Sequence, residues 1–241
     1  MSKRLPTGLY ALTPDTVDDD WLAMAVAAAI RGGASAVQYR NKVADAAQRL
    51  RQAQRLARIC REAGALFIVN DTVELANAVN ADGLHIGRDD GDPATVRAAL
   101  GSQPVLGVSC YDSFERARAV RGIADYVAFG SVFVSAVKLG AVRAPLGLFA
   151  RGREAGMHAV AIGGIDAGNA YEVAQAGAEA VAVITAVFGE AGGAGRADAA
   201  QIGENARRVV ETFVTGLRTT TSGPDASAKL SRIASMRTKR E

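Results

Sequence analysis

Ala81-Asp82-Gly83-Leu84-His85-Ile86-Gly87-Arg88-Asp89-Asp90-Gly91-Asp92-Pro93 carries the plan of this chain in one short unit. Residues 83–86 form an apolar run of the length a strand takes when both its faces are buried. A polar stretch follows. Then comes Asp92 beside Pro93, a pair that starts a helix: the carboxylate accepts from otherwise unpaired N–H groups, and proline fits the first turn. Outward from this unit the pattern recurs in both directions. Apolar runs lie at residues 9–12, 36–39, 66–69, 105–108, 126–129, 159–162 and 180–184. Helical stretches separate them, among them 21–31, 46–63, 73–79 and 169–176, and a last helix spans roughly 197 to 217.

Eight such alternations predict an α/β fold closed as a (β/α)8 TIM barrel, a single domain. The alternative, an open doubly wound sheet, calls for a glycine fingerprint in its first strand–helix turn. That turn reads Thr13-Pro14-Asp15. A chain of 241 residues, 49% hydrophobic, suits one large core filled by Ala, Val, Leu and Ile. Aromatic residues are 5%, too few for a surface that stacks bases, and no nucleic-acid partner is expected. Much of the basic excess behind the net charge of +3 sits in Lys229, Arg232, Arg237, Lys239 and Arg240. The barrel is therefore predicted over 1–218. Residues 219–241 read as a basic tail, disordered or weakly helical, beyond a Thr/Ser/Gly/Pro linker at 219–224.

The two cysteines, Cys60 and Cys110, form neither a redox pair nor a metal spacing, and Cys60 falls at a core position of a helix. With no disulfide framework and no signal-peptide pattern, the expected location is the cytoplasm. The apolar run 24–30 ends at Arg31, well short of a membrane span. A homo-oligomer is compatible with this reading.

In a barrel of this kind chemistry sits where strands end. After the second strand Gln38, Arg40 and Lys42 alternate onto one face, two cations and an amide suited to an anion. Asn70-Asp71 follows the third strand and Gly87-Arg88-Asp89-Asp90 the fourth. These strands are neighbours, so Asp71 and Asp90 can approach each other beside the cationic loop, an arrangement that suits Mg2+. The plainer reading makes Asp71 the cap of the helix at Val73 and Asp90 a loop acid. Ser109 follows the fifth strand, with Asp112 or Ser113 capping the next helix, and His85 reads as a hydrogen-bonded rim histidine. The long loop from Gly130 through Ser131, Ser135 and Lys138 toward Pro145 has the length of a lid. Gly163-Gly164 and Thr185 follow the last two strands, where backbone N–H groups of such barrels commonly hold a phosphate.

Taken together, these stretches resemble the thiamine-phosphate synthase family over residues 9–188. The resemblance rests on Gln38 to Lys42, Asn70-Asp71, Ala81 to Asp90, Gly107-Val108-Ser109, Asp125 to Gly130 and Ile162 to Ile165. It implies a transferase of thiamine biosynthesis. A pyrimidine methyl diphosphate condenses with thiazole phosphate to give thiamine phosphate and pyrophosphate, with Mg2+ as cofactor. It further implies that Gln38, Arg40, Lys42, Asn70 and Lys138 hold the diphosphate, with Lys138 also catalytic, and that Asp71 and Asp90 bind the metal. Ser109 would contact the aminopyrimidine as a second catalytic residue. Ser135, Gly164, Val183, Ile184 and Thr185 would hold the thiazole phosphate through backbone and side chains. Against the family's usual pattern, Val134 and Leu139 replace prolines, Val137 replaces a threonine and Thr185 a serine. Two other readings stay open: a ligand-binding paralogue without turnover, and a thiazole tautomerase, whose catalytic histidine is here Ser131.

Overall fold

In the computed structural model, which describes residues 4–133, 143–189 and 196–220, eight parallel strands close into a barrel. They are β1 (Gly8–Leu12), β2 (Ala36–Tyr39), β3 (Leu66–Asn70), β4 (Gly83–Ile86), β5 (Val105–Tyr111), β6 (Tyr126–Gly130), β7 (Ala159–Ile162) and β8 (Ala180–Val183). Each pairs with the next in the chain, and β8 returns to β1. Around them lie α1 (Asp19–Arg31), α2 (Ala46–Ala63), α3 (Val73–Ala78), α4 (Pro93–Leu100), α5 (Phe114–Ala119), α6 (Gly147–Glu154), α7 (Ala170–Gln175), α8 (Thr185–Phe188) and α9 (Ala199–Thr220). The helices start where short polar side chains close their first turns. Asp18, Asp45, Asp92 and Ser113 accept from Trp21, Gln48, Thr95 and Arg116 N–H respectively. Among the described residues no helix is long and apolar enough to cross a membrane.

The strands alternate between two cores, as their two-residue period requires. Leu9, Ala11, Val37, Phe67, Val69, Leu84, Ile86, Leu106, Val108, Cys110, Val181 and Val183 face outward and pack beneath the helices. Tyr10, Leu12, Ala36, Ile68, Val105, Tyr126, Ala128, Val160, Ala180 and Ala182 fill the interior, with Leu5 among them. The two tyrosines fit because a glycine stands opposite one of them: Gly107 pairs in register with Tyr126, and a Cβ there would sit 2.0 Å from Tyr126 Cζ. Opposite the mouth, Asp82 accepts from Phe67 N at 2.9 Å and Asp125 from Leu106 N at 2.8 Å, pinning the starts of β3 and β5.

Several element ends differ from those read in the sequence. β5 runs three residues past Val108, so Ser109 and Cys110 lie in the strand; a register shift between Ser109 and Tyr111 and the positive φ of Tyr111 (55°) end it. β3 takes in Asn70 and β6 takes in Gly130, while β8 stops at Val183 because Ile184 already turns into α8. Apolarity marks buried positions, whereas a strand ends where its backbone pairing ends, and near the mouth polar residues continue that pairing. α9 runs to Thr220, a little beyond the helix end read at about 217; there Thr219 bonds Tyr171 Oη at 3.2 Å and Gln175 Nε2 bonds Gly216 O at 2.6 Å. The remaining tail lies outside the described residues, as do Ser135, Lys138 and the substituted positions Val134, Val137 and Leu139.

Candidate active site

The inward parity of each strand delivers its last residues to the mouth. Gln38, Asn70, His85 and Ser109 continue the interior rows of β2, β3, β4 and β5, and Asn70 and His85 are register partners. They form a neutral polar floor above the apolar interior. A line of hydrogen bonds crosses it. Gln38 Nε2 donates to Tyr10 Oη at 2.7 Å, and Tyr10 Oη lies 2.9 Å from Tyr126 Oη. Tyr126 Oη is 2.9 Å from His85 Nδ1, and His85 Nε2 is 2.9 Å from Ser109 Oγ. The His85 and Tyr126 rings stack with centroids 5.5 Å apart. Burial raises both phenols above their ordinary range and lowers His85 to about 4, with the Asp90 charge acting weakly the other way. The rim histidine expected from the sequence is therefore neutral and bonded through both ring nitrogens.

Above this floor the rim is charged. Thr13 Oγ1 accepts from Arg40 N and donates to Arg40 O, each at 2.9 Å, locking together the exits of β1 and β2. Arg40 Nη1 lies 3.2 Å from both oxygens of Asp15, and Asp15 Oδ1 also accepts from Lys42 N at 2.8 Å. Asp15 thus orients one of the predicted anion-binding cations and fixes the backbone of the other. The Lys42 side chain itself is exposed. Behind them, Asn41 is held by Gln52 Oε1 at 2.9 Å and closes the loop by accepting from Val43 N and Ala44 N.

Asp71 and Asp90 meet across the exits of β3 and β4. Asp71 is raised from 3.8 to about 6, first by burial, then by its hydrogen bond with Asp90 and by that residue's charge, while Lys42 and Arg40 pull it back down. Asp71 does not cap α3; that position belongs to Thr72, whose side chain makes no capping bond. Instead Asp71 adopts a left-handed φ of 67° and donates its N–H to His85 O at 2.8 Å, which turns its carboxyl toward the mouth loop of β4. Asp90 Oδ2 accepts from Gly87 N at 2.7 Å. Among the described residues no group of three or more His, Cys, Asp or Glu gathers, so these two carboxylates stand as a pair. Arg116 braces this side, donating to Ser109 O at 2.8 Å and Gly87 O at 3.2 Å.

Across the mouth, Gly163 and Gly164 both take positive φ, 102° and 65°. A Cβ on Gly163 would lie 2.2 Å from Ser131 Oγ, so the β6 and β7 exits touch there. Asn169 Nδ2 donates to Gly164 O at 2.9 Å. Thr185 is exposed at the first turn of α8, directly above β8. The Val183 side chain corrects one expectation: it is 3% exposed and packs outward under the helices, so only its backbone faces this side. Ile184 packs on the interior cluster.

Four participants escaped the sequence reading: Tyr10, Tyr126, Asp15 and Arg116. Tyr10 and Tyr126 carried the one available signal, since phenols on an inward row need partners for their hydroxyls.

The model of the thiamine monophosphate synthase family matches residues 9–187. A thiamine-phosphate synthase of Chromobacterium violaceum is 58% identical over 182 residues, covering 75% of this chain and 88% of that protein. One of Aromatoleum aromaticum is 54% identical over 183 residues, covering 75% and 88%. The solved structure of thiamine phosphate pyrophosphorylase from Pyrococcus furiosus superposes with a TM-score of 0.74 at 30% identity, covering 88% of this chain and 97% of that one. With its family's model matched from the first strand to the last and relatives of this identity, the chain belongs to the thiamine monophosphate synthase family.

Proposed function

We infer that this chain is a thiamine-phosphate synthase, an alkyl/aryl transferase that joins a 4-amino-2-methyl-5-pyrimidinylmethyl diphosphate to a thiazole phosphate. The observation that carries the reading is the Asp71–Asp90 pair beside Arg40 and Lys42, set over a neutral polar floor in a barrel of this family. The pair fits Mg2+. Two carboxylates crowd until one of them holds its proton up to about pH 6, a repulsion that a divalent cation removes. Mg2+ takes one or two protein carboxylates and completes its shell with water and phosphate oxygens. When bound, the ion neutralises charge on the departing diphosphate.

Arg40, Lys42, Gln38, Asn70 and Lys138 hold the diphosphate in this scheme, and Ser109 contacts the aminopyrimidine. Ser135, Gly164 and the backbone from Val183 to Thr185 hold the thiazole phosphate, where paired glycines let the chain approach closely. The methylene C–O bond breaks and its electron pair leaves with the diphosphate. The electron-rich pyrimidine spreads the resulting positive charge, and the thiazole nitrogen closes the new C–N bond. No proton is removed at the reacting carbon, so the site needs charge stabilisation rather than a strong base. Purified protein given both substrates and Mg2+ should release pyrophosphate, and chelation should stop it. Binding of thiazole phosphate with no pyrophosphate released would favour the ligand-binding paralogue.

A further inference from the structure

The line from Gln38 to Ser109 has a direction. Each phenol in it is buried, Tyr10 at 2% and Tyr126 at 1% exposure, and each has one hydrogen to place. Tyr10 Oη receives a hydrogen from Gln38 Nε2, so its own hydrogen goes to Tyr126 Oη. Among the described residues Tyr126 Oη, already accepting, has one other hydrogen-bond neighbour, His85 Nδ1, and its hydrogen goes there. With the Gln38 amide nitrogen turned to Tyr10, any other arrangement strands a buried O–H without an acceptor, which folded proteins avoid. His85 Nδ1 is then an acceptor, and the imidazole carries its hydrogen on Nε2, 2.9 Å from Ser109 Oγ. Ser109 Oγ accepts that hydrogen, and its own remains to be offered into the mouth.

We propose that His85, held by Tyr126 as the Nε2–H tautomer, is a positioning residue that makes the Ser109 hydroxyl a dedicated hydrogen-bond donor, selective for a ligand with a ring-nitrogen lone pair at that point. The assignment of the pyrimidine to Ser109 rests on the function proposed above; the tautomer rests only on the hydrogen-bond line. The opposite polarity would present Ser109 as an acceptor toward an N–H or O–H ligand. A pyrimidine in which C–H replaces the ring nitrogen would leave the hydroxyl facing carbon.

The test begins on the ligand-free protein. The chain has two histidines, so 15N-imidazole NMR with a His158→Asn control assigns both. His85 should appear as the Nε2–H tautomer, and Tyr126→Phe should let the Nδ1–H form appear. Wild-type His85 observed as Nδ1–H overturns the proposal whether or not the protein is a synthase. The kinetic arm separates donor geometry from general damage. His85→Gln keeps an amide donor near the Nε2 position, and His85→Asn is too short to reach Ser109. His85→Asn should raise KM for the pyrimidine diphosphate about tenfold, the order of one lost hydrogen bond, with KM for thiazole phosphate unchanged. His85→Gln should recover most of that loss. Equal loss in the two variants, or parallel rises in both KM values, would make His85 a packing residue and overturn the positioning role. A wild type that shows the predicted tautomer yet releases no pyrophosphate would leave the hydrogen-bond direction standing and remove the synthase reading.

Discussion

Replacing Asp71 by Asn should stabilise the metal-free protein while removing its response to Mg2+. In the folded chain the Asp71 carboxyl is raised from 3.8 to about 6. A carboxyl raised on folding favours the protonated folded state, so below pH 3.8 the ion costs nothing. The penalty grows as pH rises from there and is complete above about 6. At 1.36 kcal/mol per pH unit the ceiling is about 3 kcal/mol. Asp71 is partly exposed at the rim, and water screening brings the expected effect to about 1.5 kcal/mol. Asparagine removes the charge, keeps the size and tolerates the left-handed φ of 67° as few other residues do. For a domain of this length the gain corresponds to roughly 3–6 °C in Tm. Thermal unfolding in chelator at pH 8 should therefore show the variant melting above wild type, with the difference fading toward pH 4. Mg2+ at about ten times its Kd should raise wild type by about 1.4 kcal/mol and leave the variant unmoved. A variant that melts lower than wild type at pH 8 would refute the repulsion. Equal Mg2+ stabilisation of both proteins would refute the metal assignment.

Gly107→Ala should lower stability by about 1–3 kcal/mol, read as a fall in Tm, because its Cβ would meet the Tyr126 ring at 2.0 Å; an unchanged Tm would mean that the ring is free to move aside. Lys138→Ala should cut pyrophosphate release by about tenfold to a hundredfold, at 1.4 kcal/mol per decade, with Lys138→Arg recovering part of it. An active wild type and an equally active Lys138→Ala protein would remove that lysine from the mechanism. A chain ended at Thr220 should keep its Tm and activity, since the residues beyond offer little apolar surface to offset their ordering; a large loss in either would show that the tail docks on the barrel.

The barrel was legible because its signal is local and repeated: each apolar run is flanked by its own cap or turn, as Asp92-Pro93 is by 83–86. The rim was legible in part, since Gln38, Asp71, His85, Asp90 and Ser109 interrupt or follow those runs. What joins them was not. The bonds Tyr10–Gln38, Tyr10–Tyr126 and Tyr126–His85 span 28, 116 and 41 residues, and no local pattern encodes a contact at that range. Asp15 went unnoticed for a similar reason: a lone acid after a proline reads as a turn until β2 brings Arg40 against it. Strand parity would have excluded the Val183 side chain, because Ala182 and Ile184 face inward and the residue between them cannot.

The same hydrogen-bond direction bears on how a reactive electrophile survives in this pocket. The proposed chemistry creates a carbon with positive character at the mouth, and any lone pair aimed at it competes with the thiazole nitrogen. Cys110 is removed by parity: its thiol points outward under the helices, lies 3.6 Å from Val108 O and is pushed up to about 12 by burial. His85 is the more dangerous neighbour, a neutral imidazole on the floor itself. In the Nε2–H form its one nucleophilic lone pair, on Nδ1, is covered by the Tyr126 hydroxyl and points into the barrel. In that form the nitrogen 2.9 Å from Ser109 Oγ carries the hydrogen and has no lone pair to give. The reversed tautomer would turn a nitrogen lone pair toward the pocket side, covered by the Ser109 hydroxyl alone, and leave it nearer the electrophile. Two interior tyrosines and one glutamine, far apart in sequence, thereby serve selectivity twice: they make Ser109 a donor, and they keep the only floor imidazole from acting as a nucleophile.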